Sequence, residues 1–146
     1  MRQLGQGSLW KDVRDLRVAL GGAHFLTTPY TNSGFAATAF SDVASNTIIQ
    51  NTSWSTAIPT EAKALLIRCW IRDSGSAGTS GLYLVLVGTA AGTIAAARID
   101  LEGVPNDQWR GEQVIVPCVN GDVWYQVNAS GAGTMDITLW CLGYWT

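Results

Sequence analysis

The sequence predicts an all-β protein, an antiparallel β-sandwich of jelly-roll type with a short N-terminal helix or arm. Several runs after residue 59 alternate apolar and polar side chains, and glycine, proline and asparagine separate those runs at short spacings. Near the N-terminus, one stretch has helical spacing instead. We therefore expect an anchoring arm or helix over residues 1–22 and a single sandwich domain over residues 23–146.

The last run of the chain has the strictest alternation. Apolar residues at every second position, from 135 to 141, indicate a strand with one buried face. Its predicted inward residues are Met135, Ile137, Leu139 and Cys141, whereas Asp136, Thr138 and Trp140 point outward. A glycine-rich turn at residues 130–133 leads into it. We expect this strand to lie centrally, with earlier strands paired on both sides.

The composition limits the kinds of partner. Of 146 residues, 47% are hydrophobic and only 14% are charged, so much of the surface is neutral or apolar. We expect part of that surface to be buried against other subunits. The formal net charge of −2 provides no electrostatic footprint for nucleic acid or an anionic membrane. No run approaches the roughly 18 apolar residues of a membrane-spanning helix.

The three cysteines form no metal-binding pattern. Because the first residues lack the apolar core of a signal peptide, we expect synthesis in a cytosol, where thiols stay reduced. Cys69 and Cys141 are predicted to be neighbours on inward faces, and the sequence leaves open whether they are bridged.

The N-terminal stretch predicts a helix over residues 8–20. Ser8 is a suitable N-cap, and two glycines at 21 and 22 end the helix. The apolar stripe consists of Leu9, Val13, Leu16 and Leu20. The helix either packs on its own domain or serves as an anchor that docks on a partner or on threefold neighbours. We favour the anchor, because an isolated helix of this length is marginal and its apolar stripe needs a partner surface.

The rest of the chain predicts strands of unequal strength. Residues 24–57 are small and polar, so only short extended segments at 35–40 and 47–51 are expected there. The strong strands are predicted at residues 62–73, 82–87, 93–101, 109–118, 123–129 and 134–145. Asn120-Gly121 is a hairpin signal between two of them.

The sequence contains no pattern for catalysis, and we predict that the protein is not an enzyme. No serine lies in Gly-x-Ser-x-Gly, and His24 is the only histidine. Neither a zinc site nor a phosphate-binding loop is indicated, so we expect no metal and no cofactor. A carboxylate pair such as Glu102 with Asp136 is not supported, because any β protein has scattered acids.

The predicted outer strand faces carry the candidate functional residues. They are Arg68, Trp70, Arg72, Trp124, Gln126 and Trp140. Exposed tryptophan is costly, so these residues form either a subunit interface, a platform on which indoles stack on sugars, or a face covered by the chain's own N-terminal segment.

Residues 58–66, Ile-Pro-Thr-Glu-Ala-Lys-Ala-Leu-Leu, resemble the Ile-Pro-x-x-Ala-Lys-Ala-Leu-type start of a strand in small β-sandwich virion proteins of tailed bacteriophages. Val-Pro-Asn-Asp-Gln-Trp at 104–109 and Leu-Gly-Tyr-Trp at 142–145 are similar to later parts of the same pattern. The resemblance covers residues 58–146 and none of the N-terminal third.

The resemblance implies a virion protein, often trimeric, that decorates a capsid or forms the tip of a fibre or tail appendage, and no catalytic residues carry over. We expect a capsid decoration or cement protein that is assembled in the host cytoplasm and attached to other virion proteins, capsid or tail, through its N-terminal arm. The alternative is a fibre or appendage protein that binds cell-surface glycans. The low charge and surplus tryptophan call for a large buried surface. The resemblance implies that this surface closes a homotrimer, and Trp70 is our candidate anchor for it.

Overall fold

The computed structural model describes residues 22–92 and 97–146, and these residues fold almost entirely into strands. The strands are β1 (Ala23–Phe40), β2 (Val43–Ile49), β3 (Ala64–Asp73), β4 (Tyr83–Val87), β5 (Ala97–Asp100), β6 (Arg110–Pro117), β7 (Val123–Asn128) and β8 (Met135–Trp145). A single 3₁₀ turn, Asn51–Ser53, interrupts them in this part of the chain. The predicted helix, with Leu9, Val13, Leu16 and Leu20, lies outside the described residues.

The strands form two antiparallel four-stranded sheets, which confirms the all-β prediction. One sheet, here the β8 sheet, has the order β1-β8-β3-β6, and the other, the β7 sheet, has the order β2-β7-β4-β5. Pairing matches the first strand with the last and works inward: β1 with β8, β2 with β7, β3 with β6 and β4 with β5. Two further pairings, β3 with β8 and β4 with β7, complete the sheets.

The central position predicted for the last strand is confirmed, since β8 pairs with β1 on one side and with β3 on the other. Its predicted inward residues are all fully buried. In β3, Leu65 and Ile67 face the same interior, and Leu84 and Leu86 face it from β4 in the other sheet. Burying each such side chain contributes about 1.5–3 kcal/mol, so this shared cluster holds the two sheets together.

The N-terminal third has more strand than the sequence indicates. Instead of short segments, β1 runs over 18 residues and β2 over 7. β1 is an edge strand with three shifts of register against β8, and most of its residues are exposed. Because a bulged edge strand needs few apolar residues, it leaves no clear alternation in the sequence.

The Asn120-Gly121 turn forms as predicted, but the strands beside it do not pair with each other. Both residues have positive φ, 56° and 77°, and Val119 bridges Asp122 across them, as in a tight hairpin turn. However, β6 pairs with β3 and β7 pairs with β2 and β4, so the turn carries the chain from one sheet to the other.

A buried carboxylate fastens the loops at one end of the molecule. Asp73, at the end of β3, is fully buried and accepts hydrogen bonds from the Gly75 amide at 2.7 Å and the Ser130 amide at 3.0 Å. The hydroxyls of Ser130 and Thr134 also donate to it. Every lone pair therefore faces a donor, and this compensates for burying the charge.

All three cysteines are buried and unbridged, which settles the Cys69–Cys141 question in favour of free thiols.

No helix within residues 22–92 and 97–146 has the length and apolar character to cross a membrane.

Candidate functional site

The outer face of the β8 sheet brings together most of the residues that the sequence singled out. Arg68, Trp70 and Arg72 alternate with the buried residues of β3 and therefore point away from the core. Across the strand boundary, Arg68 lies opposite Trp140, and Arg72 lies opposite Asp136. One surface thus holds Asp136 and four of the six candidates, namely Arg68, Trp70, Arg72 and Trp140.

Three indoles form a cluster on this surface, here the tryptophan cluster of Trp70, Trp109 and Trp140. The Trp70 ring centroid lies 5.9 Å from that of Trp140, with the rings edge to face, and 6.3 Å from that of Trp109. Trp70 and Trp109 remain 45% and 39% exposed. Such pairs add about 0.5–1.5 kcal/mol beyond burial, so the cluster holds its shape although it faces solvent.

The sequence places Trp109 at the start of a strand and gives no sign that it belongs to the site. Trp109 precedes β6, which pairs with β3, and this pairing places its ring beside Trp70. Only the pairing of β3 with β6 shows that Trp109 belongs to the site, because alternation within a single strand shows only whether a residue points inward or outward.

Gly111 makes room for Trp70. It lies opposite Trp70 on β6, and a Cβ built on it would be 2.8 Å from the Trp70 Nε1 atom and 3.0 Å from Cδ1. Any side chain at this position would force the indole to shift. The glycine therefore permits the indole to lie across the edge strand.

Arg72 is held in place on both sides. Its Nε atom donates to Asp136 Oδ2 at 2.9 Å, and one terminal nitrogen lies 2.8 Å from the same oxygen. Its guanidinium also lies over the Trp109 ring, 4.8 Å from the centroid. Stacking on the indole and pairing with the carboxylate together hold the Arg72 side chain in one position beside the tryptophan cluster.

An open concavity of about 370 Å³ lies against the tryptophan cluster. Its lining residues are Arg68, Trp70, Trp109, Gly111, Glu112 and Gln113. The indoles provide an apolar surface, and the arginine, carboxylate and amide provide donors and acceptors beside it. The volume is at the lower end of the range for small-molecule sites.

Trp124 and Gln126 lie elsewhere, on β7 in the other sheet. Gln126 donates to Asn46 Oδ1 at 2.7 Å, and Asn46 in turn donates to the Ala90 and Gly92 carbonyls. This network links β2 and β7 to the loop after β4, and the Trp124 side chain is half-buried. The six predicted residues thus divide four and two between the sheets.

The described residues show how the groups with catalytic or metal-binding potential are used. His24 stacks on Tyr144 with ring centroids 4.8 Å apart, and its Nε2 lies 3.4 Å from the Thr146 hydroxyl. Asp136 is paired with Arg72. Within residues 22–92 and 97–146, no three histidine, cysteine, aspartate or glutamate side chains are grouped so as to hold a metal ion.

Comparison of the chain with protein-family models and with curated proteins found no match.

Proposed function

We propose that this chain is a non-enzymatic structural protein of a tailed-bacteriophage particle, with jelly-roll connectivity and a homotrimeric state. The strand order supports the connectivity, because β1 to β4 pair in reverse order with β8 to β5, like a doubled ribbon wound into two sheets. Jelly rolls of eight strands are common in viral capsid and lectin domains. The sequence resemblance over residues 58–146 supports the virion assignment.

The observation that carries the proposal is the exposed tryptophan cluster on the β8 sheet. Ile115, on the same sheet's edge strand, is also exposed, at 57%, and adds a second apolar side chain to the exposed part of this sheet. With only 14% charged residues, the chain has little charged surface to offset this. Exposed tryptophan and arginine are the residues that most often anchor protein interfaces.

Capsid decoration is the role that we propose first. In this role the apolar stripe of residues 9–20 docks on a capsid or tail protein, and the β8 sheet faces close the trimer about a threefold axis. The N-terminal arm leads directly into β1, the edge strand of the β8 sheet. The arm and the tryptophan cluster would then act as two separate contacts, one to the particle and one to the neighbouring subunit.

The concavity favours a second candidate, a tail appendage protein that binds cell-surface glycans. Indoles that stack on the apolar faces of sugar rings, next to side chains that bond hydroxyls, make a saccharide site. Trp70, Trp109, Glu112 and Gln113 provide such groups around one open space. A flat protein interface does not require this concave shape.

Light scattering at micromolar concentration tests the trimer. We expect a trimeric mass for the wild type and dissociation for Trp70→Ala, since truncating a hot spot costs about 2 kcal/mol or more. Ile48→Ala is the control, because Ile48 is also exposed but lies in the β7 sheet. A monomeric wild type would refute the trimer. A monomer whose glycan binding requires Trp70 would assign the face to the second candidate.

A further inference from the structure

We propose that the saccharide bound in the Trp70–Trp109 concavity carries a carboxylate, which Arg68 recognises. This inference rests on the second candidate function, in which the face binds glycans and does not close a trimer, and it adds the class of sugar. It follows from the distribution of charge around the concavity.

Most charges near the concavity are already paired. Arg72 is bound to Asp136, and Arg110 lies 3.3 Å from the Glu112 carboxylate. The third ion pair in the described part of the chain joins Arg98 to Asp100, on the β7 sheet. None of these pairs engages Arg68, which is exposed and lines the concavity. Of the two charged lining residues, Glu112 is thus paired with Arg110, and Arg68 has no ion-pair partner among residues 22–92 and 97–146.

Arg68 is positioned beside the apolar surface. It lies two residues from Trp70 on the same strand, between Trp140 of β8 and Gln113 of β6. A sugar ring stacked on an indole would therefore place its substituents near the guanidinium. The planar fork of arginine matches a carboxylate with two parallel hydrogen bonds, which a neutral hydroxymethyl group cannot reproduce.

The surrounding contacts fix the indoles before any ligand arrives. Trp140 packs edge to face against Trp70, and Gly111 leaves room for the Trp70 ring. The Arg72 guanidinium lies over the Trp109 ring. Binding then loses little freedom in the aromatic groups, and the ordering cost falls mainly on Arg68 and Gln113.

The test compares matched acidic and neutral sugars. The full-length protein is titrated calorimetrically with a panel of sialylated and uronate-containing oligosaccharides, each paired with its carboxyl-reduced form. We expect the acidic member to bind at least about tenfold more tightly, and Arg68→Gln to remove this difference. Arg98→Gln is the control, because it removes the same charge from an exposed site on the other sheet.

The possible results distinguish glycan binding from recognition of the sugar carboxylate. If acidic and neutral partners bind equally, or only neutral sugars bind, glycan recognition stands and the carboxylate inference is overturned. If Arg98→Gln weakens binding as much as Arg68→Gln does, the attraction is non-specific and the inference is also overturned. If no member of the panel binds, both the inference and the glycan-binding function fail.

Discussion

Trp70 and Gly111 lie opposite each other on β3 and β6, and the indole occupies the space that a side chain on residue 111 would need. This relationship allows the Trp70 ring to lie across β6, the edge strand of the β8 sheet. A substitution at Gly111 can therefore disturb the tryptophan cluster without changing any of its three tryptophans.

Gly111→Ala should displace the Trp70 ring while leaving the core intact. The new methyl group would lie within 2.8 Å of Nε1, so we expect an altered near-ultraviolet circular dichroism spectrum and a loss of about 1–2 kcal/mol of stability. Gly78→Ala is the matched control, because no atom lies within 4 Å of the Cβ position there. An unchanged spectrum for Gly111→Ala would show that the ring does not depend on this glycine.

The three thiols should react only when the protein unfolds. Burial, reinforced by the nearby Glu112 carboxylate, raises the pKa of Cys69 to about 12. Burial also raises the pKa of Cys118 and that of Cys141 to about 11. At pH 8 almost no thiolate exists, and the thiolate is the reactive form. We expect a thiol reagent to label three sites in denaturant and none rapidly in buffer, and fast labelling of the native protein would contradict this.

Asp73 should make the fold sensitive to acid. Burial alone would raise the pKa of this carboxyl, but the hydrogen bonds from Ser130, Gly75 and Thr134 together lower it below its usual value. Because the folded pKa is depressed, the stabilisation is complete above the unfolded value of about 3.9 and disappears as pH falls through the folded pKa.

Asp73→Asn tests this contribution at neutral pH. An amide nitrogen would face the donors, so we expect a loss of about 2 kcal/mol or more in the free energy of unfolding and a weaker dependence on acid. Asp107→Asn is the control, since Asp107 is exposed and its positive φ of 60° suits asparagine. Equal acid profiles for wild type and Asp73→Asn, measured by denaturant titration, would rule out this role.

If the capsid-decoration proposal is correct, deleting residues 1–20 should leave a folded protein that no longer binds phage particles. Every described strand begins after residue 22, so we expect the cooperative thermal transition to survive. Co-sedimentation with phage particles should be lost, and Leu16→Asp in the full-length chain should have the same effect. If the truncated protein loses its cooperative transition, the N-terminal segment belongs to the core and the anchor hypothesis fails.

The sequence predicts the interior of this fold better than its edges. In β3 and β8, alternation identifies the buried and outward residues correctly, because each strand has one face in the core. In β1 the same rule fails, because a bulged edge strand can form its backbone hydrogen bonds without a regular apolar face.

Alternation also cannot tell which sheet a strand joins. Alternation predicts that Trp70, Trp124 and Trp140 all face outward, but it does not show that Trp124 lies in the β7 sheet and the other two in the β8 sheet. The Asn120-Gly121 turn illustrates the same limit, because its local geometry is set by two positive φ angles and not by the partners of its flanking strands. The tryptophan cluster therefore depends on pairings between distant segments.

The pairing of first strand with last has a consequence for folding in time. Hairpin β4–β5 joins neighbours in the chain, whereas β1 must find β8 across almost the whole described sequence. Folds dominated by such distant contacts form in milliseconds to seconds. During synthesis, β1 leaves the ribosome before the other described strands, and its partner β8 leaves after them. Until β8 emerges, the edge of β1 that pairs with it has no partner, and this interval is when the nascent protein is most vulnerable to aggregation.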